Sequence, residues 1–236
     1  MQYESQDNAQ VAAMVQRAVE NYQYFTTALR GSAADIMAGL SAGTKSFLSI
    51  KSNLDAIKDR FLDNIADIVS QDLAYTSVIA RERASTVPEV SVDDRVVAVS
   101  ESLTAGFSTQ LMSVFEKQAA ADVRKTDTFV RNQLVQGRFF ATTEQLSTDL
   151  TFSHLDKADR HIKSEVHVFR EVNWAYRQLF NTSLVYALVS SGIEEGVASG
   201  GSKNGTVIKL DNFDAIQPSI FHHNSKSLLQ PNYSVS

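Results

Sequence analysis

Proline is the residue that most restricts this chain, because it occurs three times in 236 residues, at Pro88, Pro218 and Pro231. A proline inside a helix removes a backbone donor and clashes with the preceding turn, whereas β-rich folds spend prolines and glycines at frequent turns. With none before Pro88 and none between Pro88 and Pro218, the chain has room for long helices wherever its apolar residues recur at helical spacing.

They do recur. From Asn8, the positions Val11, Met14 or Val15, Ala18, Tyr22, Phe25 and Leu29 predict a first helix ending near Gly31, with Tyr22, Tyr24 and Phe25 as core contacts. A second helix is expected from Ala33 to Ala84. With Phe47 as heptad position a, residues Ile50, Leu54, Ile57, Phe61, Ile68, Tyr75 and Val78 fall on a or d. Leu62, Ile65, Val69 and Leu73 form a second stripe, so this helix needs partners on two sides. Fifty residues of helix would span roughly 75 Å, more than a domain of this size is wide, so the rod must bend, break or protrude. Asn64 and Gln71 take d positions, where polar groups fix register or face a wet interior. Gly39-x-x-x-Gly43 permits close backbone approach or a break.

Pro88 to Val92 reads as a linker, with Ser91 and Asp94 resembling a capping box for the next helix. That helix carries Val96, Val99, Leu103, Phe107 and Leu111 on one face and should end at Gly137, followed by a fresh start at Thr142 with Gln145. Ser153 is expected to cap a last long helix running to Gly192. Beyond it, Gly196 to Gly205 reads as a flexible linker, Gly205 to Leu210 as one short strand, and the remainder as irregular chain. The expected fold is therefore all-α: an elongated bundle of long helices with an extended C-terminal tail. Its segments are an N-terminal arm (1–30), the bundle (31–192) and the linker with its docking tail (193–236).

Apolar content of 43% and charged content of 21% fit an ordered protein, and a net charge of −5 with dispersed Lys and Arg argues against nucleic-acid binding as the main role. No cysteine is present, which excludes disulfides and thiolate chemistry. No signal-peptide pattern and no run of eighteen apolar residues occurs, so a protein soluble when synthesised is expected. Gly196-x-x-x-x-Gly201 lacks the Lys-Ser/Thr pair and the strand and helix of a phosphate loop. His154, His161 and His167, with Glu165, Asp156 and Asp159, make a hydrated metal site conceivable, but solvated histidines on a charged helix face are the plainer reading. His222 and His223 stand together in the tail. No catalytic residue, metal or cofactor is assigned. A carboxylate metalloenzyme would need Glu-x-x-His on paired helices, and none exists here.

The Ala/Gln-rich opening at Asn8–Ala18, the small-residue stretch Gly31–Gly43, the lack of cysteine and long helices ending in a Gly/Ser-punctuated tail resemble internal virion or ejection proteins of tailed bacteriophages. The resemblance implies a non-enzymatic structural subunit in a virion, with copies of itself, other virion proteins and membrane as its partner classes. The alternatives are a membrane-interacting pore or translocator and a helical-bundle enzyme. The residues expected at an oligomer interface are Phe47, Ile50, Leu54, Ile57, Phe61 and Ile68 of the long helix and Ile216, Ile220 and Phe221 of the tail, which carry apolar surface beyond what one helix can cover.

Overall fold

The computed structural model describes residues 2–155, 160–222 and 224–232, without the side chains of residues 2–5, 154 and 216. Asp156, Asp159, His223 and Tyr233, and the side chains of His154 and Ile216, therefore lie outside the described residues. The chain is mainly helical: α1 (Gln2–Ser41), α2 (Ser49–Ala84), α3 (Asp94–Val135), the short α4 (Thr143–Asp149) and α5 (Ser164–Ser190). An antiparallel hairpin, β1 (Ser153–Leu155) and β2 (His161–Lys163), precedes α5. After α5 come β3 (Glu195–Ser199), β4 (Val207–Lys209), α6 (Phe213–Ile220) and β5 (Leu228–Pro231), forming a sheet of order β4-β3-β5 with both pairings antiparallel.

The helix boundaries follow local chemistry. No break occurs at Gly31, because Ala33, Ile36 and Met37 continue the buried face of Tyr22, Phe25 and Leu29. The single rod expected from Ala33 to Ala84 is instead split at Gly43, where φ is +70° and the Thr44 N–H donates to the Gly39 carbonyl. That is a Schellman terminator. Gly39 serves it too: a Cβ there would come within 2.7 Å of Lys45 Cγ, so the small-residue spacing accommodates the chain's own loop. Gly137 (φ +71°) ends α3 the same way, with the Arg138 N–H donating to the Gln133 carbonyl. Asp93, not Ser91, caps α3, since its Oδ1 accepts from the Val96 N–H at 3.0 Å. The Thr142–Gln145 capping box is present.

The heptad seam does not persist as written. Ile50, Leu54 and Phe61 are buried, but beyond them the buried line continues through Ile65, Val69 and Leu73, while Asn64 and Gln71 are exposed. A straight α-helix drifts about 20° per heptad against a strict 3.5 repeat, which rotates the d positions out to solvent.

The chain forms two compact units interleaved along its length rather than three segments in sequence. The first contains residues 1–17, 68–111 and 170–236; the second contains 18–67 and 112–169. A boundary falls inside each of α1, α2, α3 and α5.

The first unit includes the C-terminal region, whose expected linker and docking tail are packed structure. Ile208, Leu210, Phe213, Ile220, Phe221, Leu228 and Leu229 are all buried. Asn181 Oδ1 on α5 accepts from the Leu229 N–H at 2.8 Å, and Asn173 and Arg177 donate to the carbonyls of Ser225 and Lys226. The glycines expected to confer flexibility permit close packing: a Cβ on Gly196 would lie 2.8 Å from Leu229 Cδ1, and one on Gly201 2.8 Å from Ser227 Oγ. Arg83 closes the unit with two hydrogen bonds to the buried Asp7, at 2.7 and 2.8 Å, and Gln230 adds a third to that carboxylate at 3.2 Å.

The second unit is built on aromatic contact. The Phe25 and Phe61 rings stack at 4.5 Å, and Phe61 meets Tyr22 and Phe115 edge-on at 5.9 and 5.8 Å. Arg30 lies 4.9 Å over the Phe152 ring.

Candidate functional site

The helix expected from Ser153 to Gly192, with its most charged stretch at residues 156–171, begins only at Ser164, and the described residues before it are strands. Residues 153–155 and 161–163 pair, with Ser153 opposite Lys163, His154 opposite Ile162 and Leu155 opposite His161. Alternation in a strand puts Ser153, Leu155 and His161 on one face. That face and the first turns of α5 border a cleft of about 420 Å³ in the second unit. Its other wall is α3, which presents Val114, Gln118, Ala121 and Lys125 at successive turns, with Lys117 beside them. His161 and His167 both line the cleft. Lys125 Nζ and His161 Nδ1 each lie 3.5 Å from Ser153 Oγ, at the outer limit of hydrogen bonding.

Gln118 belongs both to this cleft and to a buried polar cluster beneath it. Its Nε2 donates to Asp122 Oδ1 at 3.1 Å and reaches Ser164 Oγ at 2.9 Å, while Ser164 Oγ donates to Asp122 Oδ1 at 3.3 Å and the Tyr22 hydroxyl donates to Asp122 Oδ2. The cluster thus ties α1, α3 and α5 together around one carboxylate. Burial pushes Asp122 up to about 6, although the donors from Tyr22, Gln118 and Ser164 and the charge of Lys125 all act to hold it down. Burial and the adjacent carboxylate both raise the Tyr22 hydroxyl above its ordinary value, which keeps it a donor.

Of the histidine constellation, the structure brings His161 and His167 to one cleft. The helical spacing that would have aligned His154 with His161 does not exist, because this segment is a hairpin. Among the described residues no group of three His, Asp or Glu side chains could hold a metal. Gly196 lies in β3 and Gly201 opens a short 3₁₀ turn, with no helix following as a phosphate loop requires. His222 accepts from the Asn224 N–H in a turn.

The expected interface residues separate into groups. Ile50, Leu54 and Phe61 are buried in the second unit, and Ile220 and Phe221 in the first. Ile57 and Ile68 are half-buried, and Phe47 is exposed. Phe47 leads to a second surface feature. Of twelve exposed large apolar side chains among the described residues, five fall at two helix ends and the connections that follow: Phe47 and Leu48 after α1, Val135 as the last residue of α3, and Phe139 and Phe140 after it. Leu48 is 93% exposed, Val135 86% and Phe140 77%. Both connections lie in the second unit. Tyr22 meets Asp122, and about two turns on Arg30 meets the Leu150 carbonyl, which shares a cleft with Thr128 and Asn132. Consequently α1 and α3 run the same way, and their apolar ends emerge at the same end of the unit.

Asp122, Gln118 and Ser164 are site residues outside the motifs of the sequence. Their signal was available, since Leu111, Phe115, Asp122 and Thr126 recur at helical spacing and a carboxylate stands in that apolar line. No protein family, curated protein or solved structure matches the chain.

Proposed function

We propose that the chain is a non-enzymatic structural subunit that assembles with copies of itself through the apolar end of its second unit, and that its setting is the virion of a tailed bacteriophage, in the ejection or head–tail machinery. The observation that carries the assembly reading is the concentration of exposed Phe47, Leu48, Val135, Phe139 and Phe140 at the ends of two helices that run the same way in the second unit. Scattered exposed apolar residues are ordinary, but five concentrated at two helix ends point to an interaction surface. Both connections start from a Schellman glycine, which fixes the direction in which the apolar residues leave the helix. The virion setting rests on the resemblance of the opening and small-residue stretches alone.

The charges at the same end favour one other reading. Lys45, Lys51 and Arg138 outnumber Glu144 there, a combination suited to an anionic membrane surface. Among the described residues no helix is long and apolar enough to cross a membrane, so contact would be peripheral. Sedimentation velocity on the intact protein and on a Leu48→Ser, Phe140→Ser variant tests the assembly reading. Concentration-dependent association that the variant loses is the expected result. A monomer at about 100 μM in both forms would overturn it, given that specific assemblies commonly hold at micromolar affinity. Co-flotation of that monomer with anionic but not neutral vesicles would transfer the surface to the membrane reading.

A further inference from the structure

We infer that the cleft above Gln118 in the second unit binds a phosphate monoester. The chain as a whole is acidic, with 27 Asp and Glu against 22 Lys and Arg, yet the described residues lining this cleft include Lys117, Lys125, His161 and His167 and no carboxylate. Lysines such as Lys117 and Lys125 gathered on a concave wall raise the local concentration of anions more than the same charges spread over a surface, and the imidazoles beside them add N–H donors. The carboxylate beneath the floor, Asp122, already accepts from Tyr22, Gln118 and Ser164.

The donor geometry also points to an oxyanion. Lys125 Nζ and His161 Nδ1 approach Ser153 Oγ from two elements but stop at 3.5 Å, so three polar groups converge without forming short bonds to one another. An oxygen-rich anion seated among them could accept from all three, as charge-assisted hydrogen bonds shorter than those present. The volume of about 420 Å³ exceeds what a phosphate group fills and falls in the range of small-molecule sites. Val114, Ala121 and the 53%-exposed Leu155 provide apolar wall for an organic group attached to the phosphate. Mononucleotides and the phosphorylated end of a nucleic-acid strand share this chemistry.

The proposal is independent of the assembly reading, because it uses neither apolar connection. The test is calorimetric titration of the full chain at low salt with adenosine 5′-monophosphate, adenosine and inorganic phosphate. Saturable binding of the monophosphate, weaker binding of phosphate and none of adenosine are expected. Lys125→Gln and His161→Gln, both at exposed positions and checked for unchanged circular dichroism, should each weaken the monophosphate by about tenfold, and Lys51→Gln, outside the cleft, should leave it unchanged. Displacement of the monophosphate by a 5′-phosphorylated dinucleotide but not by its unphosphorylated form would place a strand terminus among the ligands; failure of both to displace it would assign the site to free mononucleotides. The inference fails if neither phosphate nor the monophosphate binds at about 10 mM, if adenosine binds equally well, or if Lys51→Gln weakens binding as much as the cleft substitutions do.

Discussion

The two compact units are stabilised by different kinds of contact. The second is centred on the rings of Tyr22, Phe25, Phe61 and Phe115, with Asp122 as a buried carboxylate fully engaged by donors. The first buries charge and amide groups in number: Asp7 with Arg83 and Gln230, Arg177 with Asn8, Asn173 and the Lys226 carbonyl, and Asn181 with the Leu229 N–H. The Arg177 guanidinium is desolvated enough that burial pushes it down to about 10. The difference matches how each unit is assembled. The first joins the N-terminus, the middle and the C-terminus of the chain, and its Gln230–Asp7 bond spans 223 residues of sequence. Apolar burial is non-directional, whereas a two-point Arg–carboxylate pair accepts one geometry, so polar contacts fix the register of segments that meet from far apart.

The sharpest way to break this comparison is to remove residues 206–236. Seven apolar side chains buried in the first unit would be lost, at about 1.5 to 3 kcal/mol each, against a whole-domain stability of about 5 to 15 kcal/mol. The first unit should fail to fold, with helical circular dichroism reduced and proteolysis admitted into 68–111 and 170–190. A truncated chain that keeps its full helical signal and cooperative unfolding would mean that the tail is dispensable to that core.

One substitution in each unit comes next. Phe61→Ala should cost about 3 to 5 kcal/mol through the cavity left among the three rings of Tyr22, Phe25 and Phe115. Arg83→Ala should cost a similar amount for a different reason, because Asp7 would keep a buried charge with only Gln230 beside it. Adding Asp7→Ala to Arg83→Ala should recover part of the loss in denaturant unfolding. A double variant less stable than the single one by a further several kcal/mol would show that the pair was not what the first substitution broke.

These contacts differ in how far they could be read beforehand. The buried faces of α1 and α2 were legible at Val11, Met14, Val15, Ala18, Tyr22, Phe25 and Leu29 and at Phe61, because helical periodicity is a local signal, whereas Tyr24, expected as a core contact, points off that face and is exposed. The Gly137 stop and the Thr142 capping box were legible for the same reason. What was not legible depends on distant partners. The Gly196–Gly205 segment has the composition of a flexible linker, and only Leu229, Ser227 and Asn8 closing on Gly196, Gly201 and Gly200 reveal why it carries glycine. Residues 153–155 and 161–163 fall within the expected helix, yet they pair as strands that border the cleft. The cleft itself was not legible, since the expectation for His161 and His167 was a solvated helix face, and Lys117, Gln118 and Lys125 meet them only across the fold.

A smaller effect tests the second unit by pH. Burial raises Asp122 in the folded state to about 6, so the folded chain holds that proton more tightly than the unfolded one. Its contribution is complete below about pH 4 and is lost as pH rises through about 6, a swing of about 3 kcal/mol. Denaturant unfolding across this range should show wild type losing stability relative to Asp122→Asn as pH rises. A difference between the two proteins that stays flat from pH 4 to 7 would show that this carboxylate pays no desolvation in the second unit.

The smallest effect uses two glycines that sit inside helices without a structural reason to be glycine. Gly31 in α1 belongs to the second unit and Gly106 in α3 to the first, and a Cβ added to either meets nothing within 4 Å. Neither has a positive φ, in contrast to Gly43 and Gly137. Alanine should therefore stabilise each unit by about 0.5 to 1 kcal/mol, by limiting the unfolded chain and favouring the helix. For a chain of this length about 1 kcal/mol corresponds to a rise of about 2 to 4 °C in Tm. The same replacement at Gly43 or Gly137 should lower Tm, since the left-handed backbone there strains any side chain. Calorimetry on the four variants distinguishes the two pairs. A fall in Tm for Gly31→Ala would mean that its helix face is covered by something the isolated chain lacks. A rise at Gly106 without one at Gly31 would show the two units unfolding in separate transitions, with the first unit setting the one observed.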